Sequence, residues 1–170
     1  GSAGGEFRVY LNDGSSEVER LRVLKGGGLT FNGDTAAANA LDDYEEGTWT
    51  PASNEGATFN VYAARYTKIG NVVKATAYIS NIAPTDNSNR FQINGLPHAT
   101  SDAANYYNVG TIGYSGSAQM DDMGLLAQRD ASYLYFHFLN STNSGGYTQN
   151  TDIVSRSIST MIFSITYTAQ

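Results

Sequence analysis

Tyr62-Ala63-Ala64-Arg65-Tyr66-Thr67-Lys68-Ile69-Gly70-Asn71-Val72-Val73-Lys74-Ala75-Thr76-Ala77-Tyr78-Ile79-Ser80 is the stretch on which the fold class turns. Two runs rich in β-branched and aromatic residues flank Gly70-Asn71, a dipeptide suited to a two-residue β-turn. Residues 62–69 and 72–80 are therefore predicted to pair antiparallel. In the second run Val73, Ala75, Ala77 and Ile79 share one face and Lys74, Thr76, Tyr78 and Ser80 the other, because side chains alternate along a strand.

Working outward, further strands are predicted at 90–93, 108–114, 124–128, 132–139 and 158–168, which makes about seven or eight with the hairpin. Turn-rich segments separate them, as in an all-β sandwich or jelly-roll head. Leu134, Phe136 and Phe138 lie opposite Tyr133, Tyr135, His137 and Leu139, so this strand is expected to be covered by core on one side and a neighbouring subunit on the other. Segments 83–89, 96–107, 115–123 and 140–152 read as loops whose Asn, Ser, Thr, Gly and Tyr suit recognition. No long-period repeat is present, which argues against a propeller or solenoid.

Composition agrees with this reading. With 18 Gly, 12 Tyr and only 15% charged residues among 170, the chain favours pleated surfaces and tight turns over helices. A net charge of −6 with 10 scattered basic residues argues against nucleic acid, whose binding needs clustered Lys and Arg. There is no apolar run long enough for a membrane span and no signal-peptide layout, so a soluble chain without membrane insertion is expected. Zero Cys removes disulfides, thiolate metal sites and Cys nucleophiles together and leaves packing or oligomerisation to supply stability.

Upstream the character changes. Residues 1–5 read as a cloning remnant or linker, and the natural protein is expected to be longer. Short apolar pieces at 7–11, 21–24 and 29–31 are broken by Asn12-Asp13-Gly14 and Gly26-Gly27-Gly28, the triple glycine suiting a tight turn or a close backbone approach. None is long enough to bury a face alone. A single chain would leave Val9, Leu11, Leu21, Val23, Leu24, Leu29 and Phe31 in water, whereas three intertwined copies would cover them, so a homotrimer is expected. Residues 34–41 form the one good helical window, capped by Asp34 or Thr35 and limited to one or two turns. Asp42, Asp43, Glu45 and Glu46 then read as a solvated acidic turn, since the ligand spacing of a calcium loop is missing.

The stretch Asn39-Ala40-Leu41-Asp42-Asp43-Tyr44-Glu45-Glu46-Gly47-Thr48-Trp49-Thr50-Pro51 resembles the junction in phage tail-fibre and related virion-appendage proteins, where a thin trimeric shaft passes into a C-terminal β-rich head. The similarity is strongest over 36–51. It extends weakly to 19–24 and 26–31 upstream and to 66–73 downstream. The resemblance implies a shaft end and junction over 6–48, with Asp42, Asp43, Tyr44 and Trp49 as structural junction residues, and a receptor-binding head over 49–170. It also implies a virion location at the fibre tip, after assembly in the host cytoplasm. The implied partners are a second and third copy of the chain, the rest of the fibre, and a bacterial surface receptor that is a cell-surface glycan or outer-membrane component. Trp49 is expected to be buried where junction meets head.

Candidate chemistry is sparse. A serine-hydrolase reading lacks a Gly-x-Ser-x-Gly elbow, and its only histidines are His98, expected in a solvent-facing turn, and His137, expected packed within a strand. Asp121, Asp122 and Asp130 are the carboxylates for a polysaccharide depolymerase, but adjacent Asp121 and Asp122 point to opposite sides of an extended chain. No phosphate-binding or zinc motif occurs, so no catalytic residue, metal or cofactor is expected. Axial ions in a trimer stay open. Tyr114, Tyr133 and Tyr135 read as strand or subunit contacts. Loop tyrosines can stack on sugars and donate a hydroxyl bond, which makes Tyr106, Tyr107 and Tyr147, with His98 and Asn105, the receptor-contact candidates. The alternative is a structural or trimerisation module with no receptor of its own.

Overall fold

In a computed structural model the chain is nearly all β, with one curled eight-stranded sheet and one three-stranded sheet. The structure describes residues 5–53, 56–85, 89–102, 107–116, 123–138, 150–155 and 157–170. By contacts it divides into two compact units, residues 1–45 and 46–170.

The first unit is an antiparallel sheet of β1 (Phe7–Asn12), β2 (Glu17–Val23) and β3 (Leu29–Phe31), in that order. The Asp13 carboxylate accepts the Ser15 and Ser16 amides at 3.0 and 2.9 Å, which fixes the first turn. Register pairs Phe7 with Val23, Val9 with Leu21 and Leu11 with Val18, then Leu21 with Phe31 and Val23 with Leu29. Because cross-strand partners share a face, these eight side chains form one continuous apolar surface. None of them is buried, and Phe7, Leu11, Val23 and Phe31 are exposed.

The opposite face carries charge. Arg22 grips Glu19 through two bonds of 2.8 Å, and Arg8 and Glu6 complete the cluster. Those bonds from Arg22 hold the Glu19 carboxyl below the usual carboxylate range. The triple glycine gives both a turn and a close approach. Gly27 and Gly28 have φ of +99° and +84°, and a Cβ on Gly28 would stand 2.8 Å from that of Asp42.

Residues 34–41 do not form the α-helix their alanines favour. Only Ala37–Asn39 makes a single 3-10 turn, and Ala40 is already extended at ψ 140°. Asp34 does bind the Ala36 amide at 2.8 Å. A window this short fixes too many torsions for the bonds it gains. The acidic turn is also corrected: from Tyr44 the chain is strand β4 (Tyr44–Thr48), with Glu45 half-buried.

The larger sheet runs β4, β5 (Ala57–Ile69), β6 (Val72–Pro84), β11 (Thr160–Thr168), β8 (Tyr107–Ser115), β9 (Met123–Gln128), β10 (Tyr133–Phe138) and β7 (Gln92–Asn94). The predicted hairpin is present and longer at both outer ends, pairing Ile69 with Val72 and Ala57 with Pro84, with one bulge in β5 at Tyr62 and one in β6 between Ser80 and Ala83. Gly70 has φ +57° and open space around it. Gly70→Val should therefore cost about 1–2 kcal/mol from the left-handed backbone alone; an unchanged denaturation midpoint would contradict this.

Inward-facing residues make one core. Val73, Ala75, Ala77 and Ile79 of β6 meet Met161, Phe163, Ile165 and Tyr167 of β11, Leu125 of β9, and Leu134 and Phe136 of β10. Ala77 pairs with Phe163 and Ala75 with Ile165, small against large. This alternation lets the sheet curl around its aromatic filling. Its ends approach each other: Ala52, just past β4, exchanges two backbone bonds with Asn94 of β7. Gly95, at φ +86°, lies so close to the Thr50 carbonyl that no side chain would fit.

Two sequence expectations change in this unit. Leu134 and Phe136 are fully buried within the chain, and Tyr135 on the other side is covered by Arg90, 5.9 Å above its ring, with Tyr133 and His137 alongside. Residues of the same chain thus cover both sides of β10 at these positions, where a neighbouring subunit was expected; the Phe138 side chain lies outside the described residues. The segment read as a loop to 152 contains α1 (Asn150–Ser155), which packs on β6 and buries Ile153. Among the described residues no helix is long and apolar enough to cross a membrane.

Candidate functional site

Of the receptor-contact candidates the structure describes Tyr107 and His98, which differ in exposure. Tyr107 opens β8 on the outer side of the sheet and is exposed. His98 is half-buried rather than solvent-facing, with its ring edge-on to Tyr66 at 5.6 Å. The Tyr167 hydroxyl donates to the His98 carbonyl at 3.0 Å and accepts its amide at 3.3 Å. That pair of hydrogen bonds to a buried phenol explains why the turn folds inward. Tyr106, Asn105 and Tyr147 lie outside the described residues.

Burial raises the Tyr167 phenol from 10 to about 12, against the opposing pull of its bond to His98. The folded state therefore holds this proton more tightly than the unfolded chain does. Its stabilising share is complete below pH 10 and is lost as pH climbs toward 12. Urea midpoints measured across that window should fall more steeply for the wild type than for Tyr167→Phe; parallel curves would contradict this.

The junction residues separate. Trp49 is only 7% exposed, donates Nε1–H to the Thr76 carbonyl at 3.0 Å, and its amide reaches the Ala64 carbonyl at 3.3 Å. It is thus buried, as its neighbourhood predicted. Asp42 and Tyr44 are exposed and Asp43 half-buried; with Val23, Gly28, Leu29 and Leu41 they line an open cleft of about 320 Å³.

The outer face of the larger sheet is the most continuous exposed surface. Tyr78 pairs with Ala63 and Ile162, and Ile162 with Tyr114. Tyr62, the bulged residue beside Ala63, brings its ring to 4.9 Å from that of Tyr78. Tyr62, Tyr78, Ile162 and Tyr114 therefore form an exposed row across β5, β6, β11 and β8. The next row is polar: Arg65, Thr76, Ser164 and Thr111. After it come Thr67, Lys74 and Thr166, then Ile69, Val72 and Thr168, with Val109 (71% exposed) and Tyr107 further along β8.

The charges on the central strands of this face are cationic, with Glu46 of edge strand β4 the acid beside them. Strands β5, β6, β8, β9 and β11 contain no Asp or Glu, although the chain has 16 acidic residues. Among the described residues neither the Arg65 guanidinium nor the Lys74 ammonium has an ion-pair or hydrogen-bond partner. Two shallow clefts of about 340 and 220 Å³ adjoin at Arg65, Tyr66 and Thr67. The first also touches Glu46, Gly47 and Thr48, and the second Lys74 and Thr76.

Tyr62 and Tyr78 were not singled out in the sequence. The signal was there in part, since Tyr78 alternates with the core positions of β6. Tyr62 faces outward only because of a bulge that its sequence does not announce. Asp130 sits at φ +49° between β9 and β10 and accepts Gln170 Nε2 at 2.8 Å, while Asp121 and Asp122 lie outside the described residues. His137 packs with its ring 5.4 Å from Tyr135. Among the described residues no group of three or more His, Cys, Asp or Glu is placed to hold a metal ion. No family model, curated protein or solved structure matches the chain.

Proposed function

We propose that this chain is the C-terminal region of a phage tail fibre, in which a trimerising stem end carries a jelly-roll-like head that attaches noncatalytically to the bacterial surface. The observation that carries the reading is the N-terminal sheet. Eight apolar side chains on one face, four of them exposed and none buried by their own chain, suit a module that exists only as an assembly. The junction sequence at 39–51 supports placing it in a fibre. The exposed tyrosines of the larger sheet supply rigid amphipathic contacts of the kind that recognition surfaces use.

The alternative, a structural module of the virion without its own receptor, draws on the same uncovered face. Adsorption separates the two. Purified protein should bind intact cells or isolated envelopes of at least one strain in a bacterial panel and release no reducing sugar ends. Assembly without adsorption to any strain would favour the structural module, and sugar release would make the protein a depolymerase.

A further inference from the structure

We infer that the outer face of β5 and β6 is a binding site for acidic polysaccharide, centred on Arg65 and Lys74 and flanked by the Tyr62–Tyr78 pair. This rests on the attachment reading above and names the chemical class of the receptor. Cross-strand register sets the geometry. Arg65 lies opposite Thr76, and Lys74 opposite Thr67, so the two cations are diagonal neighbours on one face. Tyr78 stands two residues beyond Thr76 on the same strand. From Tyr78 to Lys74 the track is about 13 Å long at the ordinary rise of a strand.

Each part of that track suits one part of an acidic sugar chain. Exposed rings offer an apolar plane with a hydroxyl at its rim. The Thr67 and Thr76 hydroxyls provide neutral donors and acceptors, and the guanidinium matches a carboxylate or phosphate through paired N–H groups. Both cations lack partners among the described residues, so an anion would add contacts without displacing any. Glu46, on β4, is the acidic residue lining the adjoining cleft, and it is itself engaged.

Sign of charge also decides between a ligand and another subunit. On a three-fold axis this face would bring three copies of Arg65 and Lys74 together, and the acid beside them, Glu46, is already engaged. Like charges so placed repel and lose water. The face therefore points outward in the assembly, where a polyanion reaches three equivalent tracks.

The test uses the full chain and a set of defined polymers: polygalacturonate, alginate, hyaluronan and polysialate, with dextran and mannan as neutral controls. In affinity electrophoresis at least one acidic polymer should retard the protein, and the neutral ones should not. Arg65→Ala with Lys74→Ala should weaken that binding by about tenfold or more, with unchanged circular dichroism, and added salt should weaken the wild type alike. Tyr78→Ala should weaken it at low salt as well. Failure of all four acidic polymers, or full binding by the double variant, overturns the inference. So does protection of Tyr62, Tyr78 and Tyr114 from hydroxyl-radical labelling in the free assembly, which would make the face a subunit contact. Cell adsorption retained by the double variant would leave attachment standing and remove only this site; absence of adsorption by the wild type would remove attachment itself.

Discussion

Trp49→Ala is expected to destabilise the larger unit by about 3–5 kcal/mol, the range for removing a buried large aromatic. Trp49 is 7% exposed and belongs to the core cluster that includes Ala64, Val73 and Ala75. Its position makes the loss more than a local void. The indole follows β4 directly and precedes Ala52, whose two backbone bonds to Asn94 bring the ends of the curled sheet together. Losing the ring loosens the segment that carries this seam. It also removes the donor to the Thr76 carbonyl at 3.0 Å. Trp49→Phe keeps most of the packing and loses that donor, so it should cost clearly less, about 1–2 kcal/mol. Urea denaturation followed by far-ultraviolet dichroism gives both values. As the only Trp, it should emit at a short wavelength in the native state; emission at the wavelength of free indole in water would sink the argument.

Local pattern carried the strands and little beyond them. The hairpin at Gly70-Asn71 and the strands near 108–114, 124–128, 132–139 and 158–168 were legible because alternation and turn residues act over a few positions. The curl was not, because it depends on Ala75 and Ala77 lying opposite Ile165 and Phe163 on a strand far along the chain, a pairing no local signal encodes. Helix α1 was missed for the same reason: tertiary contact with β6, where Ile153 is buried, rather than periodicity holds it. The helical window at 34–41 kept one turn, of 3-10 type at Ala37–Asn39, since propensity without a face to bury did not sustain an α-helix. For the candidate site, loop composition pointed to Tyr107 and His98, but a bond from Tyr167 turns His98 inward. The outer row of tyrosines needed register to be seen at all.

The second large effect is in assembly: sedimentation should give three times the 18.2 kDa chain mass, and Leu21→Glu should abolish it. Leu21 pairs with both Val9 and Phe31, which puts it in the middle of the uncovered apolar face. Burying a large aliphatic or aromatic side chain is worth roughly 1.5–3 kcal/mol, and eight such residues in each chain share this surface. Three sheets brought face to face about one axis would cover them mutually, while the ionic side with Arg22 and Glu19 stays toward water. A carboxylate at position 21 would then enter that interior three times over, among the apolar side chains of Val9 and Phe31. An unpaired charge so placed costs several kcal/mol, multiplied by the symmetry. Arg20→Glu is the control, because Arg20 is exposed and is not among the residues of that face; its assembly should stay trimeric. Loss of the trimer in Leu21→Glu should carry with it the avidity of three equivalent binding tracks, so adsorption should fall by far more than threefold. A folded wild-type monomer at native concentration would remove the shared core, and with it the multivalent attachment that depends on three chains.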